Sequence, residues 1–476
     1  MKSVSIFKEQ VPGRHIVLAA IESLVLVASF YFGVVLRFVD SFESWHFMNL
    51  GQIEEITGPL MPKAMLFASV MLLSLMSMGL YSVRSLALEK GGVYLRVVLS
   101  HIVGVVLYIL VIYAMPTFFL GRGALFMAML ASLVLLLLVR TTYLRLIRHH
   151  IPNKRVLVYG SGMRAANVEN LMPALEQHGF SIVSFVPVAG EVGAVDALKV
   201  ATPDLPLAQY ARRQGINELV IAVDDRRHGL PIDDLLDCRL SGINVLELPS
   251  FFEETEGKVR LDLLTPSWLI FEDGFGRSWL GNALERVFDI LASAVLLLLT
   301  WPVMVLTFLA IKVEEGWNAP VFYRQVRVGK SGVNFEILKF RSMRVDAEQD
   351  RAPQWASKDD DRITSVGKII RKLRVDELPQ LLNVLMGQMS FVGPRPERPE
   401  FVKTLAQKIP YYNERHRVKP GITGWAQINY PYGASDRDAM EKLQYDLYYT
   451  KNHSLLFDLY ILLQTVEVVL FGKGAH

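Results

Sequence analysis

Long apolar stretches separated by polar loops form the main pattern along the chain. Five of them stand out, at residues 16–36, 61–80, 93–113, 124–139 and 291–311. Each has about the length and apolarity of a helix that crosses a bilayer, for which ~20 residues are needed. The pattern therefore predicts a membrane protein with a four-helix transmembrane bundle over residues 1–150 and one further apolar helix much later in the chain.

Basic residues beside the first four stretches predict their orientation, because cytoplasmic loops are enriched in Lys and Arg. Lys2, Lys8 and Arg14 precede the first stretch, whereas residues 41–58 after it contain no Lys or Arg. The later basic residues that flank the bundle are Arg84, Lys90, Arg140, Arg145, Arg148, Lys154 and Arg155. Both ends of the bundle are therefore expected to face the cytoplasm. The first stretch is too long for a signal-peptide core, so it is interpreted as a retained span.

Three ionisable residues, Glu22, Arg96 and His101, fall within or near the predicted spans. Ionisable side chains inside a membrane usually face the bundle interior or reach toward the interface. Packing of this kind is favoured here over a functional polar track.

Short β-branched runs alternate with helical patterns between residues 153 and 248. The runs are VLVYG, SIVSFV, LVIAV and NVLEL. This alternation predicts a parallel sheet with crossover helices, that is, an α/β Rossmann-like middle domain over residues 151–265. Its first turn, Gly160-Ser161-Gly162-Met163-Arg164-Ala165, fits the G-x-G-x-x-A motif that holds a pyrophosphate on helix-terminal amides. The second strand, however, runs into Pro187-Val188-Ala189-Gly190 and lacks the acid that would hold a ribose. A structural or regulatory domain is therefore favoured over a nucleotide-binding one.

Composition narrows the function classes further. The net charge of +3 is too small to favour a nucleic-acid partner. Cys238 is the only cysteine, which excludes a disulfide framework and a thiolate metal site. A buried thiol in a reducing compartment is the expected role of this residue.

The last third of the chain is basic in a patterned way. Residues 324–344 contain Glu336 as their single acid, among the six basic residues Arg324, Arg327, Lys330, Lys339, Arg341 and Arg344. A second group follows at Lys368, Arg371, Lys372 and Arg374. Such residues suit a face that lies against anionic headgroups, and they equally suit a phosphate-binding surface. The two interpretations are compatible, because a lipid phosphate lies at the same surface.

Two adjacent acids, Asp376 and Glu377, follow the second basic group. Leucines at 378, 381, 382 and 385 form one apolar stripe of a predicted helix, which Gly387 suits as the C-terminal stop. Asp376 is then expected to be the N-cap, with Pro379 tolerated in the first turn. Capping does not explain the second acid. A carboxylate kept ionised by a helix N-terminus and nearby cations suits a nucleophile or a magnesium ligand, and adjacent acids could divide these roles.

Four stretches within residues 284–476 together resemble one enzyme family. They are FYRQVRVGKSGVNFEILKFRSM, RKLRVDELPQLLNVLMGQMSFVGPRPERPEF, RHRVKPGITGWAQIN and EKLQYDLYYTKNHSLLFDLYILLQT. The chain resembles the bacterial sugar transferases, also called polyprenyl-phosphate sugar-1-phosphate transferases or monotopic phosphoglycosyl transferases. Its layout of four spans, a degenerate Rossmann-like domain and a catalytic domain is similar to that of the large exopolysaccharide-initiating members.

The resemblance implies that the protein performs the first membrane step of glycan assembly. A sugar 1-phosphate, with glucose or galactose as the favoured sugar, would pass from a UDP-sugar to undecaprenyl phosphate with release of UMP. By the motif match, Asp376 is expected to be the nucleophile, to form an aspartyl phosphosugar and to contact Mg²⁺, while Glu377 assists it. The expected partners are the two substrates and inner-membrane lipids, with a homodimer and downstream glycosyltransferases as candidate protein partners.

The same match implies substrate-binding roles for several basic residues. Lys339 and Arg371 are expected to contact phosphate, with Arg341 as a helper. The motif Pro394-Arg395-Pro396 is expected to hold the uridine end of the donor. An alternative role for Arg395 is a structural tie in a rigid turn.

The resemblance also bears on the fifth apolar stretch, which contains Pro302. A proline removes a backbone hydrogen bond and kinks a helix. UDP-sugars are cytoplasmic, so a Pro-broken re-entrant helix at about 286–312 would keep the membrane-associated, mixed α/β catalytic domain (residues 280–476) on the cytoplasmic face of the bacterial inner membrane. Family members have a small residue before this proline, whereas this chain has Thr300-Trp301-Pro302.

Two rival functions compete with this one. The first is a membrane-anchored nucleotide-binding sensor or scaffold with an inactive C-terminal domain, against which the intact acid pair and its basic neighbours argue. The second is a nucleotide-sugar dehydratase or epimerase with bound NAD, which usually needs a Tyr-x-x-x-Lys pair. In the middle domain Tyr210 is followed four residues later by Gln214.

Overall fold

The computed structural model describes residues 13–41, 46–47, 49–81, 90–150, 154–177, 179–225, 230–264, 279–344, 362–431, 433 and 435–470. It forms two compact units, one within Lys8–Glu256 and the other within Gly257–His476. Lys2, Lys8 and Arg84, three of the basic residues used to predict the orientation, lie outside the described residues.

The amino-terminal unit begins with a helical bundle. Its elements are α1 (Gly13–Arg37), β1 (Val39–Ser41), β2 (His46–Phe47), α2 (Leu50–Thr57), α3 (Leu60–Ser77), α4 (Lys90–Ala114) and α5 (Arg122–His150). Helices α1, α3, α4 and α5 are long and apolar enough to cross a membrane, and they coincide with the four predicted stretches. The prediction of apolar helices over these residues is confirmed.

Polar side chains inside the bundle pair with one another. Arg140 Nη2 donates to Glu22 Oε2 at 2.8 Å, and Arg140 Nη1 donates to the Leu80 carbonyl at 2.9 Å. His101 Nε2 lies 3.2 Å from the Ser132 hydroxyl. Arg96 donates to the Met78 carbonyl at 3.1 Å. All three residues singled out from the sequence are buried and paired, as expected of bundle-facing packing.

The same unit continues with an α/β domain. Its main elements are β3 (Lys154–Tyr159), α6 (Met163–Asn170), α7 (Met172–Gln177), β4 (Phe180–Val186), α8 (Leu207–Arg213), β5 (Glu218–Ile221), α9 (Ile232–Leu240), β6 (Asn244–Glu247) and α10 (Leu248–Glu256). The four strands are parallel in the order β4-β3-β5-β6 and match the four predicted runs. Leu157, Leu219 and Cys238 are buried in the core beside the sheet, so the expectation of a buried thiol is confirmed.

The carboxy-terminal unit combines helices with small sheets. Its main elements are α11 (Trp279–Glu315), β7 (Phe322–Val328), β8 (Asn334–Phe340), α12 (Ser365–Lys372), α13 (Gln380–Met386), β9 (Ser390–Val392), α14 (Pro399–Lys408), β10 (Gly421–Thr423), α15 (Trp425–Asn429), α16 (Asp436–Asn452) and α17 (Leu455–Leu470). Strands β7 and β8 form an antiparallel hairpin, and β9 pairs in parallel with β10. The mixed α/β content predicted for this region is therefore present.

Helix α11 contains the fifth apolar stretch. It runs as one helical element of 37 residues with Pro302 inside it, and at 1.5 Å per residue it is about 55 Å long, well above the ~30 Å of a hydrocarbon core. Most of its large apolar side chains are exposed, whereas its buried side chains are Asp289, Ser293, Thr307 and Ile311. A break at Pro302 and re-entry into the same membrane face stay predictions.

Candidate active site

The two adjacent acids lie in a short turn between α12 and α13. The 3-10 turn Val375–Glu377 follows Arg374, whose φ of +59° lies in the left-handed region. A non-glycine residue with this conformation is uncommon and costs free energy, so surrounding contacts must hold it. The turn places both carboxyl side chains in the interior, with exposed fractions of 8% for Asp376 and 9% for Glu377.

The helix after the acids begins later than the leucine pattern predicts. Helix α13 starts at Gln380, and Pro379, which has no N–H, occupies the N-cap position without a side-chain hydrogen bond. The prediction that Asp376 is the N-cap is therefore wrong, because Asp376 belongs to the preceding turn. The predicted stop is confirmed, since Gly387 has a φ of +82°.

The predicted leucine stripe is only partly correct. The buried residues of α13 are Gln380, Leu381, Asn383 and Val384, whereas Leu382 is 39% exposed. The inward face of α13 therefore has a polar as well as an apolar part, and the leucine spacing alone did not reveal it.

Three cations converge on one oxygen of Glu377. Arg395 Nη2 lies 3.1 Å, Lys339 Nζ 3.2 Å and Arg374 Nη1 3.7 Å from Glu377 Oε1. Burial acts to raise the pKa of Glu377, but the three cations outweigh it and hold this pKa well below its usual range. Glu377 is therefore ionised at neutral pH, and its role is to fix the positions of Lys339, Arg374 and Arg395.

Asp376 has a different environment from its neighbour. Its Oδ1 atom is buried and has no hydrogen-bond partner among the described residues. Burial raises the pKa of Asp376 and the Glu377 charge raises it too, while Lys339 lowers it, with smaller contributions from Arg374 and Arg371. The adjacent carboxyls therefore differ: Glu377 is ionised and contacts three cations through one oxygen, whereas Asp376 has a raised pKa and an unpaired buried oxygen.

Lys339 connects the two acids. It lies on β8, and burial lowers the pKa of its ammonium group, although Glu377 and Asp376 both raise it. A lysine with a lowered pKa near two carboxylates is a feature typical of functional sites.

Asn383 holds the β8 strand next to this cluster. Its Oδ1 accepts from the Leu338 N–H at 3.0 Å, and its Nδ2 donates to the Glu336 carbonyl at 2.7 Å. These bonds join α13 to the residue directly before Lys339. Asn383 was not predicted from the sequence, although an amide within an otherwise apolar helix pattern could have indicated a buried polar contact.

Three consecutive backbone carbonyls fix the Pro394-Arg395-Pro396 segment. The Pro394 carbonyl accepts from the Gly421 N–H at 3.1 Å, the Arg395 carbonyl from Arg415 Nη2 at 3.0 Å, and the Pro396 carbonyl from Arg327 Nη1 at 3.1 Å.

Arg415, the central donor of these three, is itself buried and paired. Its Nη2 lies 2.7 Å from Asp446 Oδ2, and its Nη1 donates to the Tyr412 hydroxyl at 2.8 Å. The segment is therefore rigid, and it presents the Arg395 side chain toward Glu377. This geometry is compatible with both roles weighed for Arg395.

The remaining predicted binding residues lie less close to the acids. Arg371 is half-buried at the end of α12, near enough to Asp376 to lower its pKa. Arg341 follows β8, and its Nε donates to the Pro320 carbonyl at 2.8 Å, so this contact ties the strand to the preceding loop. The structure thus brings Lys339, Arg395 and the acid pair together, with Arg371 at the edge.

A magnesium ion fits this site through Asp376. Among the described residues, no group of three or more His, Cys, Asp or Glu side chains could hold a metal ion. Mg²⁺ is commonly bound by only one or two carboxylates, with waters and substrate phosphates completing its coordination. The unpaired buried Oδ1 of Asp376 suits such a partial set of ligands.

The glycine-rich loop of the α/β domain binds the chain's own carboxylates. Asp224, just after β5, accepts from the Met163 and Arg164 N–H groups at 2.8 Å each. Glu191 accepts from the Ser161 N–H at 3.0 Å and from the Asp224 N–H at 2.8 Å. The amides on which a pyrophosphate would lie are therefore already paired, which agrees with the structural interpretation of this domain.

Comparisons with known proteins concern mainly the C-terminal part. A family model described as "Bacterial sugar transferase" matches residues 280–472. The UDP-N-acetylgalactosamine-undecaprenyl-phosphate N-acetylgalactosaminephosphotransferase of Aeromonas hydrophila is 43% identical over 242 residues, 51% of this chain and 56% of the relative. The undecaprenyl-phosphate glucose phosphotransferase of Komagataeibacter xylinus is 33% identical over 331 residues, 68% of this chain and 60% of the relative.

A shorter relative is covered almost completely. An uncharacterised sugar transferase of Bacillus subtilis is 42% identical over 197 residues, which are 40% of this chain and 89% of the relative. By contrast, the chain matches only a little over half the length of the Aeromonas and Komagataeibacter relatives.

Proposed function

We propose, because the chain belongs to the bacterial sugar transferase family, that it transfers a sugar 1-phosphate from a UDP-sugar to undecaprenyl phosphate and releases UMP. The names of the Aeromonas and Komagataeibacter relatives support undecaprenyl phosphate as the acceptor. The reaction would be the first membrane step of exopolysaccharide biosynthesis.

One observation supports this function above the others, namely the unequal environments of the two acids. Glu377 is paired with three cations, whereas Asp376 has a buried oxygen that is free to contact a substrate or metal. A carboxylate whose basicity is raised by burial is a better nucleophile once ionised. We assign nucleophilic attack to Asp376 and the positioning of its cationic neighbours to Glu377.

The proposed reaction has two steps. An Asp376 carboxylate oxygen forms a bond to the sugar-linked phosphorus of the donor, and the bond from that phosphorus to the bridging oxygen breaks, so that UMP departs with the bonding electron pair. A phosphate oxygen of undecaprenyl phosphate then bonds to the same phosphorus, and the aspartyl oxygen leaves. Splitting one displacement into two in this way is the usual benefit of covalent catalysis.

The cations beside the acids suit the charges in these steps. Lys339 and Arg395 both lie within 3.2 Å of Glu377 and could turn toward the phosphate oxygens of a bound donor. Arginine and lysine contacts of this kind stabilise the charge that develops on phosphoryl oxygens. The Arg395 segment would hold the uridine end, with Arg371 and Arg341 as further phosphate contacts.

Mg²⁺ would be held by Asp376 together with donor phosphates, and it would neutralise the charge of the pyrophosphate. The other contacts to the donor would come from the chain's own basic residues.

The donor sugar is proposed from the resemblance and the relatives' names. Glucose or galactose is favoured, and the Aeromonas relative adds N-acetylgalactosamine to the sugars worth testing. A donor screen that follows UMP release would identify it.

The membrane arrangement is part of the same proposal. The catalytic unit would lie on the cytoplasmic face, with α11 entering and leaving on that side near Pro302. A cysteine placed after Lys312 in a Cys238→Ala background should not react with impermeant reagents added to intact cells. Labelling from outside would show that α11 crosses the membrane.

The central test uses the full chain in detergent. UMP release from a UDP-sugar should require Mg²⁺ and a polyprenyl phosphate, or proceed for one turnover without the lipid. Asp376→Asn should abolish release, whereas Asp436→Asn, an exposed acid paired with Lys408, should retain it. Persistent release by Asp376→Asn would refute the assigned nucleophile. Kinetics that require both substrates at once, with no covalent species in mass spectra of quenched reactions, would refute the two-step course.

A further inference from the structure

Two charged residues interrupt the apolar surface at the start of α11. Arg286 Nη1 donates to the Val384 carbonyl at 2.6 Å, and Nη2 donates to the Leu385 carbonyl. One turn later, Asp289 Oδ1 accepts from the Ser390 hydroxyl at 3.0 Å and from the Phe391 N–H at 3.2 Å. Both residues thus contact the stretch of chain that joins the acid pair to Arg395.

Arg286 donates hydrogen bonds to carbonyls at the end of a helix. The carbonyls in the last turn of a helix have no partner within the helix and attract positive charge. Because Arg286 bonds two of these carbonyls at once, it fixes the carboxy-terminal end of α13, the helix that begins three residues after Glu377.

The Asp289 contact fixes the start of the next strand. Strand β9 begins at Ser390 and ends at Val392, only three residues before Arg395. Asp289 is fully buried, and its second oxygen has no hydrogen-bond partner among the described residues. A buried carboxylate in an apolar helix is costly, so the contacts of Asp289 with Ser390 and Phe391 must offset that cost.

We propose that Arg286 and Asp289 are positioning residues that hold Arg395 against Glu377, so that the placement of α11 in the membrane sets the geometry of the active site. This inference rests on the proposed function, in which Arg395 contacts the donor. Neither residue is expected to touch a substrate. Each acts through the segment 384–391, which it ties to the apolar helix.

The test compares Asp289→Ala with Asp289→Asn in the full chain. The asparagine keeps an acceptor oxygen for Ser390 and Phe391, so it should retain UMP release within about threefold of wild type, whereas the alanine should lose at least tenfold in kcat. Ser293→Ala is the matched control, because Ser293 is buried one turn further along α11 and has no hydrogen-bond partner among the described residues. It should behave as wild type. Equal activity of Asp289→Ala and wild type would overturn the proposal.

A double-mutant cycle with Arg395→Ala separates positioning from general destabilisation. If Asp289 acts through Arg395, Asp289→Ala should cost less than about twofold in an Arg395→Ala background. A loss as large as in the wild-type background would refute the coupling. Should Asp289→Ala fail to fold, Arg286→Lys, which cannot bond both carbonyls in the same fork geometry, provides the same cycle.

Hydrogen exchange gives a readout that does not depend on activity. Asp289→Ala should speed exchange of the amides of residues 391–393 and 395 at least tenfold, and Ser293→Ala should leave them unchanged. If Asp289→Ala exchanges faster but the wild-type protein turns over no donor, the positioning is supported and the proposed function is refuted. If the wild-type protein is active and exchange in Asp289→Ala is unchanged, only the positioning is refuted.

Discussion

Replacing Lys339 by methionine tests the electrostatics of the acid pair most directly. The substitution keeps an apolar stem of similar length and removes the cation that most strongly lowers the pKa values of both Asp376 and Glu377. The structure places Lys339 Nζ 3.2 Å from Glu377 Oε1. Removing it should therefore disfavour the ionised form of each acid.

The size of the lost stabilisation follows from this distance and from the two cations, Arg395 and Arg374, that still contact Glu377. Two unit charges at this distance attract by about 5 kcal/mol at an effective dielectric constant of about 20. Arg395 and Arg374 still contact Glu377, so we expect about 2–3 kcal/mol of lost stabilisation, close to the lower end for breaking a buried pair. At about 1.4 kcal/mol per pKa unit, this loss corresponds to a rise of about two units in the pKa of Glu377.

The assay is the pH profile of kcat/KM for UMP release between pH 5 and 9. A group with a higher pKa needs a higher pH to ionise, so the acid limb that Asp376 sets should move to higher pH in the Lys339→Met profile. Release should fall by up to about 100-fold at the acid end of this range and progressively less toward pH 9. Lys330→Met, at the exposed tip of the β7–β8 hairpin, is the matched control and should keep the wild-type profile.

The conservative variant completes this experiment. Lys339→Arg keeps the positive charge, and a guanidinium does not lose its proton, so any alkaline limb caused by the lowered pKa of Lys339 should disappear. An unchanged acid limb in Lys339→Met, with activity lost equally at every pH, would refute the electrostatic role.

Three further predictions concern other parts of the chain. Glu377→Gln removes the anion that three cations contact and should destabilise the catalytic unit by about 3 kcal/mol. Because folding lowers the pKa of Glu377, its stabilisation is present above pH ~4.3 and is lost as the pH falls below that value, so the acid sensitivity of thermal unfolding should be smaller in the variant. Asn383→Leu strips the Leu338 N–H and the Glu336 carbonyl of their partners and should cost about 2–4 kcal/mol by thermal unfolding, whereas Leu382→Ala, exposed on the same helix, should cost below about 1 kcal/mol. Asp224→Ala should destabilise the α/β domain by about 1 kcal/mol, measured by proteolysis, while UMP release stays within twofold of wild type. A larger loss of activity would contradict a structural role for the loop.

The sequence predicted those parts of the fold that depend on local periodicity. The four amino-terminal apolar stretches became α1, α3, α4 and α5, and each β-branched run of the middle domain became a strand of one parallel sheet. These patterns are repeated over many neighbouring residues, so a single unusual residue does not obscure them. Gly387 was predictable for a related reason, because few residues adopt a positive φ at a helix end.

Features that depend on contacts between distant residues were not predictable. Asn383, Arg415 and Asp289 act on backbone groups 20 to 102 positions away. The predicted N-cap at Asp376 was wrong, because Asp376 lies in a 3-10 turn and helix α13 begins only after Pro379, which has no N–H to donate. A preference for capping is weaker than the tertiary contacts that hold the buried pair.

Those contacts give a reason for two acids where one would cap a helix. A single carboxylate among Lys339, Arg374 and Arg395 would pair with all three, and its basicity would fall too far for attack on phosphorus. Because Glu377 takes the three cations, its neighbour keeps an unpaired oxygen and a pKa raised by burial. In the proposed reaction Asp376 would then meet the donor as the nucleophile, in a site where Glu377 already contacts the positive charges.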